Sequence, residues 1–179
     1  GSGIASEKGI YFKSAKILQI MHKINTIVLD KTGTLTKGDM HVSDLYTKRT
    51  EIDFLEILCS IENISDHPFS KAIIKFSKNK KINLFECTDF ETIPGEGVIG
   101  TIEGNNIFIG KIDYIKDKKI TIPDDAMNKD IALRRQGKSI MHCASDKNWI
   151  GLVALEDEIK AESEQTIYKM QKLGIEVWM

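Results

Sequence analysis

Asn25-Thr26-Ile27-Val28-Leu29-Asp30-Lys31-Thr32-Gly33-Thr34-Leu35-Thr36 decides how the rest of the chain is parsed. A short apolar run, Ile27 to Leu29, ends on a carboxylate, and a polar turn containing a glycine follows. Such a run reads as a buried parallel strand. It leaves Asp30 at the strand's carboxyl end, where open α/β sheets place their ligands. A carboxylate there can act as a nucleophile and carry a phosphoryl group as a mixed anhydride. The backbone N–H groups of the turn can cradle that group, and Thr32 and Thr34 add hydroxyl donors. The plainer alternative is a hydrophilic turn after a strand, the better reading of an arbitrary Asp-x-x-Gly. The stretch Asp30 to Thr36, preceded by a strand, is far more specific than a lone glycine pattern.

Composition bounds the rest. A chain of 179 residues makes one medium domain or two small ones. Its 25 Lys and Arg nearly cancel its 26 Asp and Glu, so nothing points to nucleic acid or an anionic membrane surface. Cys59, Cys87 and Cys143 are scattered with no Cys-x-x-Cys pair. That argues against a disulfide framework or a zinc site, fits a reducing compartment, and leaves each as a small buried hydrophobe. No apolar run approaches a membrane span, so this stretch reads as soluble. The chain opens Gly1-Ser2-Gly3 without a Met or a signal peptide, as an excised piece of a longer protein would.

Residues 4–23 read as a moderately amphipathic helical lead-in, broken near Gly9, with Ile10, Ile17, Ile20 and Met21 apolar. Strands are expected at 25–29 and 39–46. Helices follow at 51–63, with Ile52, Leu55, Leu58 and Cys59 at helical spacing, and at 68–80, with Ala72, Ile73 and Phe76 inward. From Cys87 the period changes to that of strands, at 88–94, 98–103 and 106–109, with Gly104-Asn105 as a hairpin turn. A helix over 124–136 stops at Gly137. Strands at 139–144 and 149–155 form a hairpin around Ser145-Asp146-Lys147-Asn148. A helix over 159–173, with Ile167, Met170 and Leu173 inward, leads to a strand from Ile175. The order is strand, Asp loop, a mixed α+β insert, then strand–helix–strand, so an α/β core interrupted by an insert is the natural parse.

Three further stretches carry chemistry. Ser65-Asp66-His67-Pro68 opens a helix. Helix N-termini attract anions, Pro68 suits the first turn, and the His67 ring can stack or hydrogen-bond; an ordinary capped helix start is the bland alternative. Pro94-Gly95-Glu96-Gly97-Val98-Ile99-Gly100 formally spells the dinucleotide fingerprint, but strands flank it and no helix opens after Gly100. Its glycines instead let a flat ligand or a phosphate approach the backbone. Glu156-Asp157-Glu158-Ile159-Lys160 is an acidic helix start on the plain reading. His22, His41 and His142 have no metal-site spacing, and His142 reads as a strand residue with a satisfied partner.

Together these stretches, in this order, resemble the cytosolic ATP-binding and phosphorylation region of heavy-metal (type IB) P-type ATPases. Asp30 to Thr36 matches their phosphorylation motif, and Lys8-Gly9-Ile10-Tyr11-Phe12-Lys13 is similar to the link from their membrane helix. Ser65-Asp66-His67-Pro68 resembles their Ser-Glu-His-Pro, with Asp66 replacing Glu. The resemblance implies an incomplete haloacid-dehalogenase-like (Rossmann-like) α/β phosphorylation core with an inserted α+β antiparallel-sheet nucleotide-binding domain. The implied division is a linker at 1–23, phosphorylation domain at 24–43 and 149–179, and nucleotide-binding domain at 44–148. Asp30, Lys31 and Thr32 become the catalytic loop, with Asp30 and Thr32 holding Mg²⁺. Asp66, His67, Gly95, Gly97, Gly110 and Asp157 become the ATP-side residues, with Lys160 near the nucleotide. Lys111 stands where the family usually has Asn.

What the resemblance implies for the whole protein is ATP-driven transport of a heavy-metal cation, copper first and zinc, cadmium or lead as the alternative. The implied setting is the cytoplasmic face of a membrane, with the cation and a metallochaperone as partners, no nucleic acid, and a monomeric fragment. Two other readings stay open, a soluble phosphatase of the same fold and a nucleotide-binding module without chemistry. Thr32 weighs against the first. Related phosphatases carry a second Asp there as general acid and base, and a hydroxyl cannot take that role near neutral pH. The sequence stops at Val177-Trp178-Met179, where the family continues into further Mg²⁺-binding segments. The fragment is therefore expected to bind ATP and to phosphorylate itself poorly.

Overall fold

A computed structural model describes residues 2–146 and 148–179. In chain order the elements are α1 (Ser2–Glu7), α2 (Ala15–Ile20), β1 (Thr26–Val28), β2 (Thr36–Thr47), α3 (Glu51–Glu62), α4 (Pro68–Ser77) and β3 (Cys87–Ile93). They continue as β4 (Gly97–Ile102), β5 (Asn105–Gly110), α5 (Ile112–Asp117), α6 (Asp124–Arg135), β6 (Ser139–Ser145), β7 (Trp149–Ile159), α7 (Ala161–Lys172) and β8 (Glu176–Trp178). The chain divides into two compact units, one of residues 1–38 and 159–179, the other of residues 39–158.

The larger unit is built on an antiparallel sheet in the order β2-β7-β6-β5-β4-β3. Its central strands are buried on both faces, so alternate residues feed two separate cores. Ile109, Met141, Cys143 and Val153 pack on α3 and α4, against Phe54, Leu58, Ile61 and Ile73. Phe108, Ile140, Ala144 and Leu152 pack on the opposite face against Ile115 of α5 and Leu133 of α6. Local chemistry marks the starts of α3 and α6. The Thr50 hydroxyl caps α3 by accepting from the Asp53 N–H at 3.1 Å. Asp124 and Asp125 open α6 and Arg134 and Arg135 close it, matching the helix dipole.

The smaller unit pairs β1 with β8 in parallel, Ile27 opposite Val177, and the Leu29 N–H donates to the Trp178 carbonyl at 2.8 Å. The sheet here has two strands. That corrects the expectation of a buried strand at 25–29. Ile27 is half-buried, but Val28 is 76% exposed because a single neighbouring strand covers only part of it. For the same reason Leu173 on the turn after α7 and Trp178 on β8 face solvent, although Leu173 reads as inward by spacing and Trp178 as core-edge.

Other differences are local. The lead-in forms two short helices separated by residues 8–14 rather than one broken helix, and Ile10, Ile17 and Ile20 are exposed. The β4–β5 hairpin turns on Glu103 and Gly104, both at positive φ (49° and 75°), one residue earlier than Gly104-Asn105. A two-residue turn of this hand suits the twist of the paired strands. Ile52 is exposed while Phe54, two residues on and across α3, is buried. Helix α5 has no counterpart in the sequence reading. Cys87 is half-buried, unlike Cys59 and Cys143. Gly1, and Lys147 of the β6–β7 turn, lie outside the described residues.

Candidate functional site

Two sets of candidate residues lie in different units. In the smaller unit, β1 delivers an exposed Asp30 in extended conformation (φ −70°, ψ 142°) to the turn over 31–35. Gly33 takes φ 75°, which lets the turn close. Its N–H donates to the Thr36 hydroxyl at 3.1 Å, and that hydroxyl donates to the Lys31 carbonyl at 3.1 Å. The segment after β7 pins the turn from outside. The Lys160 ammonium donates to the Gly33 carbonyl at 2.8 Å, and the Ser163 hydroxyl to the Leu35 carbonyl at 2.7 Å. Lys160, which the resemblance sets near a nucleotide, is thus bonded to the loop that carries Asp30. The turn's carbonyls are held by cation and hydroxyl, which leaves Asp30 and Thr32 at an accessible strand end.

In the larger unit a cavity of about 520 Å³ opens at one end of the sheet. That volume is within the range of small-molecule sites. His67, Gly95, Gly97, Gly110 and Lys111 line it together with Glu62. His67 is the N-cap of α4: its ring Nδ1 accepts from the Phe69 N–H at 3.2 Å, and Pro68 follows in the first turn. The Nδ1 bond fixes the ring, whose edge meets Phe69 at 4.8 Å between centroids.

The glycines have a reason beyond ligand access. A Cβ on Gly97 would stand 2.1 Å from the Ile109 carbonyl oxygen, and one on Gly110 2.4 Å from that of Glu96. These two residues face each other across β4 and β5. Only glycine lets the strands approach this closely, and bare backbone becomes the cavity wall. Gly95, at φ 78°, makes the turn between β3 and β4. That turn joins two strands, as the exclusion of a dinucleotide fingerprint requires.

Glu62 is the feature that sequence reading missed. It ends α3 at 2% exposure. Its Oε2 accepts from the Ser70 hydroxyl, while Oε1 is buried without a hydrogen-bond partner among the described residues. Burial raises the carboxyl above its usual range, and the Ser70 bond only partly opposes this. A buried orphan acceptor in a cavity wall implies a donor supplied from outside. The available signal was a carboxylate on the apolar stripe of α3, in line with Leu55, Leu58 and Cys59.

Two candidates stand apart from the cavity. Asp66 points into solvent, with Lys71 Nζ 3.9 Å away. Asp157 is half-buried on β7. Behind the cavity, on the α6 face, His142 Nε2 lies 3.1 Å from Asp130 Oδ1, and its Nδ1 accepts from the Trp149 indole N–H at 3.0 Å. An indole only donates, so Nε2 carries the imidazole proton toward Asp130. Among the described residues no three His, Cys, Asp or Glu cluster as a metal site. No helix among them is long and apolar enough to cross a membrane.

A strand-end carboxylate on a parallel pair, with an α+β unit inserted after it, defines the class. The haloacid dehalogenase-like hydrolase model matches residues 24–179, and the chain belongs to that family. It is 35% identical over all 179 residues to the copper-exporting P-type ATPases of Staphylococcus aureus strains JH9 and JH1, and spans 22% of their length. The catalytic domain of the CPx-ATPase CopB-B superposes with TM-score 0.71 at 23% identity, over 98% of this chain and 60% of that one. The N-domain of HMA6, a copper-transporting P-type ATPase, superposes with TM-score 0.56 at 18% identity, over 66% of this chain and 99% of that one. The resemblance read from the motifs, and the α/β core with its antiparallel insert, are both borne out.

Proposed function

We propose that this chain is the ATP-binding and phosphorylation region of a heavy-metal P-type ATPase, copper being the cation favoured by the names of its relatives. The observation that carries the reading is the cavity, which brings His67, Gly95, Gly97 and Gly110 together around the orphan oxygen of Glu62. The exocyclic amino group of adenine is a donor of the kind Glu62 Oε1 lacks. Guanine offers an acceptor at that position and would leave Glu62 facing another lone pair. The glycine edges leave flat backbone for the base and ribose, and the Gly95 turn, His67 and Lys111 border the path toward the phosphates.

Asp30 is the acceptor. One carboxylate oxygen attacks the γ-phosphorus, the bond from phosphorus to the β,γ-bridging oxygen breaks, and ADP leaves with that electron pair. Lys31 adds positive charge beside the developing anion. The Asp30 carboxylate and the Thr32 backbone oxygen are hard donors that would hold Mg²⁺. When bound it offsets the repulsion between carboxylate and phosphate. Thr32 offers no carboxylate to activate water, so the acyl phosphate persists long enough to couple to a conformational cycle. In this reading the nucleotide-binding domain is 44–148, within the compact unit 39–158, with the phosphorylation domain at 24–43 and 149–179 and a linker at 1–23. Asp157 serves at the hinge and Asp66 at the mouth of the α4 N-terminus.

Calorimetric titration of ATP into the chain and into His67→Gln tests the site. ATP binding weakened several-fold in the variant is expected; the same affinity in both proteins sinks the nucleotide role of the Asp66–Pro68 segment.

A further inference from the structure

The ATP reading leaves one buried polar array without a role. Asp130 on α6 is 3% exposed and His142 on β6 is 0% exposed, inside an otherwise apolar layer. Removing a carboxylate and an imidazole from water costs more than an apolar pair of similar size. A charged pair joining residues on one turn of a helix needs none of this, since an exposed Asp serves as well. The array must therefore be judged by where it leads.

It leads to the cavity. Asp130 Oδ2 accepts from Arg134 Nε at 2.7 Å, one turn further along α6, and Arg134 lines the cavity with its side chain 42% exposed. His142 sits opposite Gly110, a cavity residue, in the β5–β6 register. The series runs Trp149 to His142 to Asp130 to Arg134, each member fixed by the one behind it. Of the other two cations lining the cavity, Lys111 stands at the start of α5, while Lys138 is already engaged, its Nζ 2.7 Å from Asp44 and 3.6 Å from Glu156. Arg134 has spent its Nε–H on Asp130, which sets the plane of the guanidinium and leaves the rest of the fork as donors. A planar fork held in one orientation matches two phosphate oxygens at once. Glu62 takes the base on the α3 face, so the anionic end of the ligand is what remains for a cation on the α6 side.

We propose that Arg134 binds the phosphate chain of the nucleotide, and that Asp130, His142 and Trp149 are positioning residues that aim it into the cavity. This rests on the ATP reading of the same cavity, and the experiment separates the two. ATP, ADP, AMP and adenosine are titrated calorimetrically into the full chain and into Arg134→Gln, Arg134→Lys and Asp130→Asn. A hydrogen bond to a charged group is worth roughly 1.5 kcal/mol, so Arg134→Gln should lose about tenfold in ATP affinity and nothing in adenosine affinity. Arg134→Lys should recover part of that loss. Asp130→Asn should repeat the ATP-selective loss with Arg134 still present; if it does not fold, Trp149→Phe removes the donor to His142 while keeping an aromatic ring in that core and should give a smaller loss in the same direction. Arg134→Gln that binds ATP like the unmodified chain overturns the inference, as does an equal loss of ATP and adenosine, which marks damage to the fold. An unmodified chain that binds neither ligand overturns the ATP reading and this inference together.

Discussion

The Glu62 side chain carries a buried acceptor that the described residues leave open. The carboxylate is buried at the end of α3 with one oxygen bonded to Ser70 and the other unpartnered. Burial raises its protonation point in the folded chain, while in the unfolded chain it titrates as an ordinary Glu near about 4.3. Between those two points the folded chain binds more protons than the unfolded one, so stability from this group falls as pH rises through the window. Asp130 works the other way. Burial alone would raise it, but Arg134 and His142 outweigh that and hold it below the usual carboxylate range. Its contribution is present above the ordinary Asp value and lost as pH falls through the lowered one. A direct comparison of chains isolates Glu62. Glu62→Gln should be more stable than the unmodified chain at pH 7 by roughly 1 kcal/mol, with the difference vanishing toward pH 4. Urea unfolding across that range measures it, and parallel profiles for the two chains would contradict the buried charge.

Elements were legible where periodicity is strong and opaque where a role depends on a neighbour far along the chain. The runs that became α3, α4, α6 and β3 to β7 announce themselves through spacing of 3.6 or 2 residues, Thr50 and Pro68 at helix starts, and Gly137 at a stop. Helix α5 is six residues long and its N-cap residue, Lys111, makes no side-chain cap, so no capping signal marks it. Asp30, His67, Gly95, Gly97 and Gly110 were picked out from motifs. Glu62, Arg134 and Asp130 were not, because burial, the Glu62–Ser70 bond between α3 and α4, and the Asp130–His142 bond between α6 and β6 define them, and no motif records these. The two glycines also acquire a different meaning from structure: Gly97 and Gly110 are set by the approach of β4 to β5. Gly97→Ala should therefore destabilise the larger unit by about 2 kcal/mol or more, since the Cβ meets backbone that cannot move aside without breaking the β4–β5 ladder. Unfolding in urea would show it, and an unchanged midpoint would mean the strands are not so closely joined.

At the scale of the molecule, the proposed function divides the labour between a loop that would accept a phosphoryl group and a unit that would hold its donor. The interruption was readable in sequence because the strand before Asp30 and the helix–strand after residue 159 bracket the insert; the strand at 149–155, read with the phosphorylation core, pairs instead with β6 in the sheet of the larger unit. The exposure of Val28, Leu173 and Trp178 was not, because an apolar run looks the same whether one strand or several lie beside it. The account stands on ATP occupying the cavity of the larger unit. Amide chemical-shift mapping of the ¹⁵N-labelled chain with ATP tests this most directly. The account predicts saturable shifts centred on Glu62, His67, Gly95, Gly97, Gly110 and Lys111, larger with ATP than with GTP. An unresponsive spectrum, or shifts gathered instead around Arg49, Asp53 and Asn105 on the other cavity of that unit, would contradict it.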